Sequence, residues 1–237
     1  MTDCLLADSV GKRFGDRRVL TAATLHVPVG RITALLGRNG CGKTTLLRIL
    51  TGFLSADWGR IEVLGRHVLR PSMSRLAHLG FFFLPDRDLL ARQWTVRQHF
   101  EILGRRFGMT DASEAIAIAG IAPFLDRTPR QLSGGERRRA EVALALFREP
   151  ACLIADEPFN GIAPKDADTV AAALRALAAR GCAILATGHE VEILLDTADT
   201  VVWMVAGTTY PLGVPAEARK HHAFIRDYLG PHGVAIS

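Results

Sequence analysis

Eight consecutive residues, Gly37-Arg38-Asn39-Gly40-Cys41-Gly42-Lys43-Thr44, satisfy the pattern G-x-x-x-x-G-K-[ST] at every constrained position. The chemistry such a run supports is capture of a polyphosphate. Glycines let the backbone curl until several N–H groups converge on phosphate oxygens, and a helix N-terminus behind the turn adds its positive end. Lys43 supplies the charge that reaches the β- and γ-phosphates, and the Thr44 hydroxyl is a ligand for Mg²⁺. Cys41 fills an unconstrained position and reads as incidental rather than redox-active. A glycine-rich turn holding a lysine by accident is the competing reading. The context opposes it, because a strand-like run precedes the motif and a helix-forming run follows it.

A phosphate cradle needs a carboxylate station, and Asp156-Glu157 supplies one directly after the apolar run Ala151-Cys152-Leu153-Ile154-Ala155. Residues that follow a parallel strand emerge at the ligand edge of a sheet. Asp156 is placed there for the Mg²⁺ shell, directly or through water. Glu157, one residue on, points elsewhere and can accept a proton from an attacking water. Adjacent acids are usually solvated charges, but an unneeded carboxylate at the end of a buried strand is costly.

Positioning these groups requires a sheet covered on both faces. Arg31–Leu36, Ala151–Ala155 and Cys182–Ala186 are apolar runs of strand length without alternation, which suits parallel strands. Thr44–Leu50 reads as the helix behind the cradle. In the alanine-rich stretch Val170, Leu174 and Leu177 share one helical face, and Asp166 and Asp168 favour the helix start. The first thirty residues read as antiparallel strands turning at Gly15-Asp16, and 87–140 reads as helical with no strong strand. The expected architecture is α/β: one domain over 1–237, with a core and β lobe in 1–86 and 141–237 and a helical lobe in 87–140.

Composition bounds the rest. The 237 residues are 49% hydrophobic and 22% charged, with a net charge of +5, so the chain is globular and mildly basic. Its basic residues are scattered rather than massed, a balance compatible with anionic ligands or a membrane surface that identifies neither. The runs Phe81–Leu84 and Val201–Ala206 fall far short of the ~20 apolar residues of a spanning helix. Met1-Thr2-Asp3-Cys4 does not read as a signal peptide, and Cys4, Cys41, Cys152 and Cys182 have no CxxC spacing. A reduced, cytoplasmic protein is the expectation.

Leu132-Ser133-Gly134-Gly135-Glu136 then completes an ordered set with the cradle and with Asp156-Glu157-Pro158. The set resembles the ATP-binding cassette (ABC) ATPases, and the resemblance runs from about Phe14 to Gly230. It implies a P-loop NTPase core with a mostly parallel sheet, an N-terminal antiparallel β lobe and an inserted helical lobe. It implies ATP and Mg²⁺, with nucleotide contacts from Gly37 through Thr44 and from Thr45. Phe14, on its residues alone a core aromatic, matches the ring that stacks on adenine. Leu132 through Glu136 match the signature, whose helix N-terminus faces the γ-phosphate of a second subunit. Glu157 matches the catalytic carboxylate and Asp156 a metal ligand. His189 matches a switch histidine at the γ-phosphate, although a histidine after a strand is by itself more often a loop residue. The other seven histidines match no motif.

Two positions depart from the family pattern. Asp86 stands where glutamine is usual; it keeps an oxygen for Mg²⁺ but is one methylene shorter and, as a carboxylate, donates no hydrogen bond. Ala163 stands where many cassettes carry an aspartate that links sites across the dimer. The flavour is that of the compact lipopolysaccharide-export and branched-chain amino-acid uptake cassettes, carried by Gln131–Arg139, Asp156–Phe159 and Ile225–Gly230. The implied partners are transmembrane permease subunits and a second cassette, like or related, at the cytoplasmic face of the inner or plasma membrane. Nucleic acid is not an expected partner. DNA-repair relatives need a long coiled-coil insertion and translation relatives two cassettes, and neither is seen here. A soluble or regulatory ATPase with reduced turnover, its catalysis weakened at Asp86 and Ala163, is the alternative.

Overall fold

The structure is a computed structural model that describes residues 2–230 apart from Leu69 and Asp88. Strands β1 (Asp3–Phe14) and β2 (Arg17–Pro28) form the expected hairpin around Gly15-Asp16. β3 (Ile32–Leu36) runs through the phosphate loop into α1 (Lys43–Leu50). Then follow β4 (Trp58–Val63), β5 (Arg66–His67), α2 (Met73–His78) and β6 (Phe81–Leu84). The helical lobe begins with α3 (Val96–Phe107) and α4 (Ser113–Ala119). Its last helix, α5 (Gly134–Arg148), continues without a break into the core beside β7 (Cys152–Ala155). α6 (Pro164–Ala179), β8 (Ala183–Thr187), α7 (Val191–Thr197), β9 (Thr200–Val205) and β10 (Thr208–Gly213) complete the order. Short helical turns at Pro215–Ala218, His222–Phe224 and Ile225–Leu229 end the described chain.

The ten strands of the described residues belong to one mixed sheet in the order β5-β4-β1-β2-β10-β9-β3-β8-β7-β6. From β9 to β6 every neighbour is parallel, and from β5 to β2 every neighbour is antiparallel. The two halves meet where β10 pairs β2 through Thr208 and Ala22. The antiparallel lobe is larger than the first thirty residues suggest, because β4 and β5 extend it. β4 gives little signal: only Ile61 and Val63 of its six residues are buried.

The period-two side-chain alternation of a strand sorts the central residues into two hydrophobic layers. Ile32, Ala34, Leu36, Leu153, Ala155, Ile184 and Ala186 pack towards α3, α5, α6 and α7. Leu35, Cys152, Ile154, Ala183 and Leu185 pack towards α1, α2 and the antiparallel lobe. Both faces are covered, which is why these strands read as unbroken apolar runs. The same rule splits the phenylalanine run: Phe81 and Phe83 join the second layer and Phe82 the first. On α6, Val170, Leu174 and Leu177 are buried along one face as their spacing predicts.

Candidate functional site

The phosphate loop joins the C-terminal end of β3 to the N-terminus of α1. Two of its glycines are dictated by geometry. Gly42 has a φ of +119° and caps α1, a conformation L-residues rarely adopt. A Cβ at Gly37 would sit 2.5 Å from the Met204 carbonyl oxygen, so β9 and the loop touch backbone to backbone. The Cys41 carbonyl accepts from Gly207 N–H at 2.9 Å and its side chain is buried, so Cys41 ties the loop to the β9–β10 turn. Lys43 is buried at 7% exposure, its Nζ donating to the Gly37 carbonyl at 2.5 Å and reaching the Arg38 carbonyl at 3.4 Å. Arg38, Asn39, Gly40 and Thr44 are exposed and Thr45 half-buried. A lysine fixed by carbonyl oxygens on a glycine-shaped loop fits a polyphosphate anion.

Thr44, Asp86 and Asp156 line one cavity of about 440 Å³, together with Leu47, Arg48, Phe53, Phe83, Pro85 and Arg87. The structure therefore brings all three sequence-chosen metal positions to one place. Among the described residues no three His, Cys, Asp or Glu side chains form a metal cluster. Two carboxylates and a hydroxyl are nevertheless the hard oxygen set that suits Mg²⁺, which draws further ligands from water and substrate phosphates.

Asp156 and Glu157 are fixed by a residue the sequence reading passed over. The Thr187 hydroxyl, wholly buried at the end of β8, donates to Asp156 Oδ1 at 2.7 Å and accepts from Glu157 N–H at 3.2 Å. One side chain thus orients both acids. A polar residue ending an apolar strand beside the carboxylate strand was the available signal. Glu157 itself has a φ of +50°, a strained backbone for a non-glycine residue. That turn swings its side chain to His189, whose Nε2 lies 2.9 Å from Glu157 Oε1. The two residues chosen for catalysis are therefore in contact.

Thr187→Val should keep the strand packing but leave the Glu157 N–H unpaired and Asp156 without its donor. The expected cost is about 1–3 kcal/mol of stability, with ATP turnover falling about 10-fold and ATP affinity preserved. Thermal melts and steady-state kinetics check this, and parental turnover would show that Thr187 positions neither acid.

Asp86 is held from three sides. Its Oδ1 accepts from Asn160 Nδ2 at 3.1 Å, its Oδ2 meets Arg87 Nε at 3.3 Å, and its carbonyl accepts from Arg138 Nη2 at 2.5 Å. Arg138 also binds the Pro85 carbonyl at 2.8 Å and pairs with buried Glu141 at 3.1 Å. The helix that follows the signature is thereby bolted to the Asp86 loop. Arg87 also adds positive charge beside Asp86 that sequence reasoning did not count.

The signature opens α5 with a capping box. Ser133 Oγ accepts from Glu136 N–H at 3.2 Å, and Glu136 Oε2 accepts from Ser133 N–H at 2.8 Å. That Ser133 N–H, first among several causes, holds the Glu136 carboxyl below its ordinary range. Leu132 and Gly135 are buried, while Ser133 and Gly134 are exposed at the helix tip. Ala163 is the N-cap of α6 and offers no capping side chain; Pro164 at the first helical position and Asp166 in the first turn compensate in part. Asp166 also meets Arg139 of α5 at 3.3 Å, a role beyond the helix start expected of it. Phe14 ends β1 at 50% exposure with Lys12 Nζ 5.6 Å from its ring centroid, so it is not a core aromatic.

Fold and loop together define a phosphate-loop ATP-binding domain. Residues 20–160 match the family model described as ABC transporter, and the chain belongs to that family. It is 34% identical over 235 residues to a probable ABC transporter ATP-binding protein of Azorhizobium caulinodans, which covers 95% of this chain and 83% of that one. The lipopolysaccharide export system ATP-binding protein LptB of Haemophilus influenzae is 32% identical over 233 residues, 95% of this chain and 97% of the relative. Nod factor export ATP-binding protein I of Rhizobium meliloti is 35% identical over 234 residues, 96% and 68% of the two chains. A nucleotide-free ATP-binding cassette from an ABC transporter shares the fold, with a TM-score of 0.83 at 24% identity over 92% of this chain and 94% of that chain. Family membership brings ATP binding and hydrolysis with it. No helix among the described residues is long and apolar enough to cross a membrane.

Proposed function

We propose that this chain is the ATP-hydrolysing subunit of an ABC transporter and couples closure of a nucleotide-sandwiched dimer to movement in separate membrane subunits. The observation that carries the reading is the convergence of Thr44, Asp86 and Asp156 on one cavity, with the Glu157–His189 contact beside Asp156. Lys43 and the loop from Gly37 to Thr45 hold the phosphates, and Phe14 offers an exposed ring to adenine. Thr44, Asp86 and Asp156 would hold Mg²⁺, which supplies charge neutralisation on the phosphates. Glu157 takes the proton of the attacking water, and His189 orients Glu157 and the γ-phosphate. Leu132 through Glu136 serve the nucleotide of the partner cassette, consistent with the exposure of Ser133 and Gly134.

The chain acts as one cassette with its core in 1–86 and 141–237 and its helical lobe in 87–140, at the cytoplasmic face of the inner or plasma membrane. Membrane subunits dock beside the Asp86 loop, where Phe53 is 63% exposed and its ring lies tilted against Phe83, 6.1 Å between centroids. In motif the chain is similar to the compact export and amino-acid uptake cassettes, and the export names among the relatives support the export branch. No nucleic acid is required.

ATPase rate against Mg²⁺ concentration tests the metal-assisted reading at the residue that departs from the family. Asp86→Gln keeps an oxygen for Asn160 and the metal and adds an N–H, so activity at or above the parental rate is expected. Asp86→Ala removes a charged contact and should lower turnover about 10-fold at limiting Mg²⁺ while changing nucleotide binding less. If Asp86→Ala matches the parent at every concentration, Asp86 is an ordinary loop acid.

A further inference from the structure

Gly135 and Arg139 stand four residues apart on α5 and so share one face of that helix. Asp166, in the first turn of α6, meets both. Its Oδ1 accepts from Arg139 Nη1 at 3.3 Å. Its Oδ2 occupies the space that a Cβ at Gly135 would need, so the carboxylate lies directly against the second glycine of the signature. That glycine is demanded by the close approach of a side chain from another helix, since its own backbone is ordinary right-handed helix. One carboxylate thus braces two successive turns of α5.

The other donors of Arg139 are spent on the helical lobe. Its Nε donates to the Ala119 carbonyl at 2.7 Å and its Nη2 to the Gly120 carbonyl, both at the C-terminal end of α4. The Phe124 ring centroid lies 5.5 Å from the guanidinium carbon. Carbonyls that end a helix carry partial negative charge, which a guanidinium offsets. The ends of α4, α5 and α6 therefore meet at one ion pair. The Arg139 and Asp166 side chains are only 18% and 20% exposed, so the pair is less screened than one on the open surface. Neither residue belongs to the phosphate, metal or signature positions assigned above.

We propose that Asp166 is a positioning residue for the signature: its two oxygens brace Gly135 and Arg139 and fix the exposed Ser133-Gly134 tip where it meets the nucleotide of a second cassette. This rests on the nucleotide-sandwiched dimer proposed above. Arg139 has a second task in it, because a phosphate approaching the start of α5 would otherwise meet a bare carboxylate. The phosphate loop is built without Asp166. Loss of the carboxylate should therefore separate ATP capture, which it leaves alone, from dimer closure, which it weakens.

The test uses the Glu157→Gln chain as parent and adds Asp166→Ala, Asp166→Asn or Asp168→Ala. Asp168 is exposed two residues further along α6 and makes no ion pair among the described residues. Sedimentation velocity over a protein dilution series with ATP and Mg²⁺ gives the dimer Kd. A fluorescent ATP analogue, added at protein concentrations where the chain is monomeric, gives capture, and thermal melts report folding. Asp166→Ala should weaken the ATP-driven dimer about 10-fold and bind the analogue as the parent does. Asp166→Asn keeps an oxygen for Arg139 and the contact with Gly135, so it should recover most of the loss, and Asp168→Ala should match the parent. Parental dimer affinity in Asp166→Ala overturns the proposal, even with a lowered melting temperature, because the bridge is then structural only. An equal loss in Asp168→Ala, or a loss of analogue binding in step with dimerisation, overturns it as well. If the Glu157→Gln parent itself fails to dimerise with ATP, the dimer reading fails first and this inference falls with it.

Discussion

Glu157→Gln is expected to lose about 10²- to 10⁴-fold in ATP turnover while binding ATP as the parent does. Glutamine preserves size and can still accept from His189 across the 2.9 Å contact. Its backbone N–H keeps the Thr187 hydroxyl, so the strained turn at φ +50° survives. What disappears is the proton acceptor, since an amide is a far weaker base than a carboxylate. The loss should fall on kcat and leave the Kd for ATP in place. Parental turnover would remove Glu157 from the catalytic role.

Lys43→Ala should fail one step earlier, at binding. Lys43 is buried, and its ammonium is the one side-chain charge fixed by carbonyls of the phosphate loop among the described contacts. Truncation deletes a charge-assisted contact to phosphate worth about 1.5–3 kcal/mol, so ATP affinity should fall about 10- to 100-fold. It also releases the Gly37 carbonyl, loosening the start of the loop. Isothermal titration with ATP and Mg²⁺ reads the effect. An unchanged Kd together with a reduced kcat would place Lys43 in chemistry rather than capture.

The contrast between these variants follows how the site was legible. The phosphate loop is a local object, eight residues whose types are dictated by backbone curvature and charge, and it could be read directly. Asp156-Glu157 could be read because an unbroken apolar strand must end at the ligand edge of a parallel sheet. The supports of these groups could not. Arg138 reaches the Pro85 and Asp86 carbonyls from more than fifty residues away, and no spacing rule announces such a bond. Thr187 reads as the last residue of a strand until the fold lays β8 beside β7. Phe14 offered only hydrophobicity, which favoured the core, whereas the end of a hairpin left it half exposed.

The fold shows the same division. Central strands with both faces covered announce themselves by composition. β4 buries two residues and β10 carries Pro211 and Gly213, so neither presents a clean two-residue alternation. The helical lobe was visible as a change of pattern, but α5 crosses from lobe to core without a turn to mark the join.

On the proposed function, the signature of one chain completes the nucleotide site of another. Sedimentation velocity of Glu157→Gln with and without ATP and Mg²⁺ addresses it most directly, because slowed hydrolysis preserves the closed state. The expected result is a monomer without nucleotide and a dimer at saturating ATP, reversed when Lys43→Ala is added to the same chain. A protein that stays monomeric at saturating ATP and Mg²⁺, with membrane subunits present as well as absent, would contradict it.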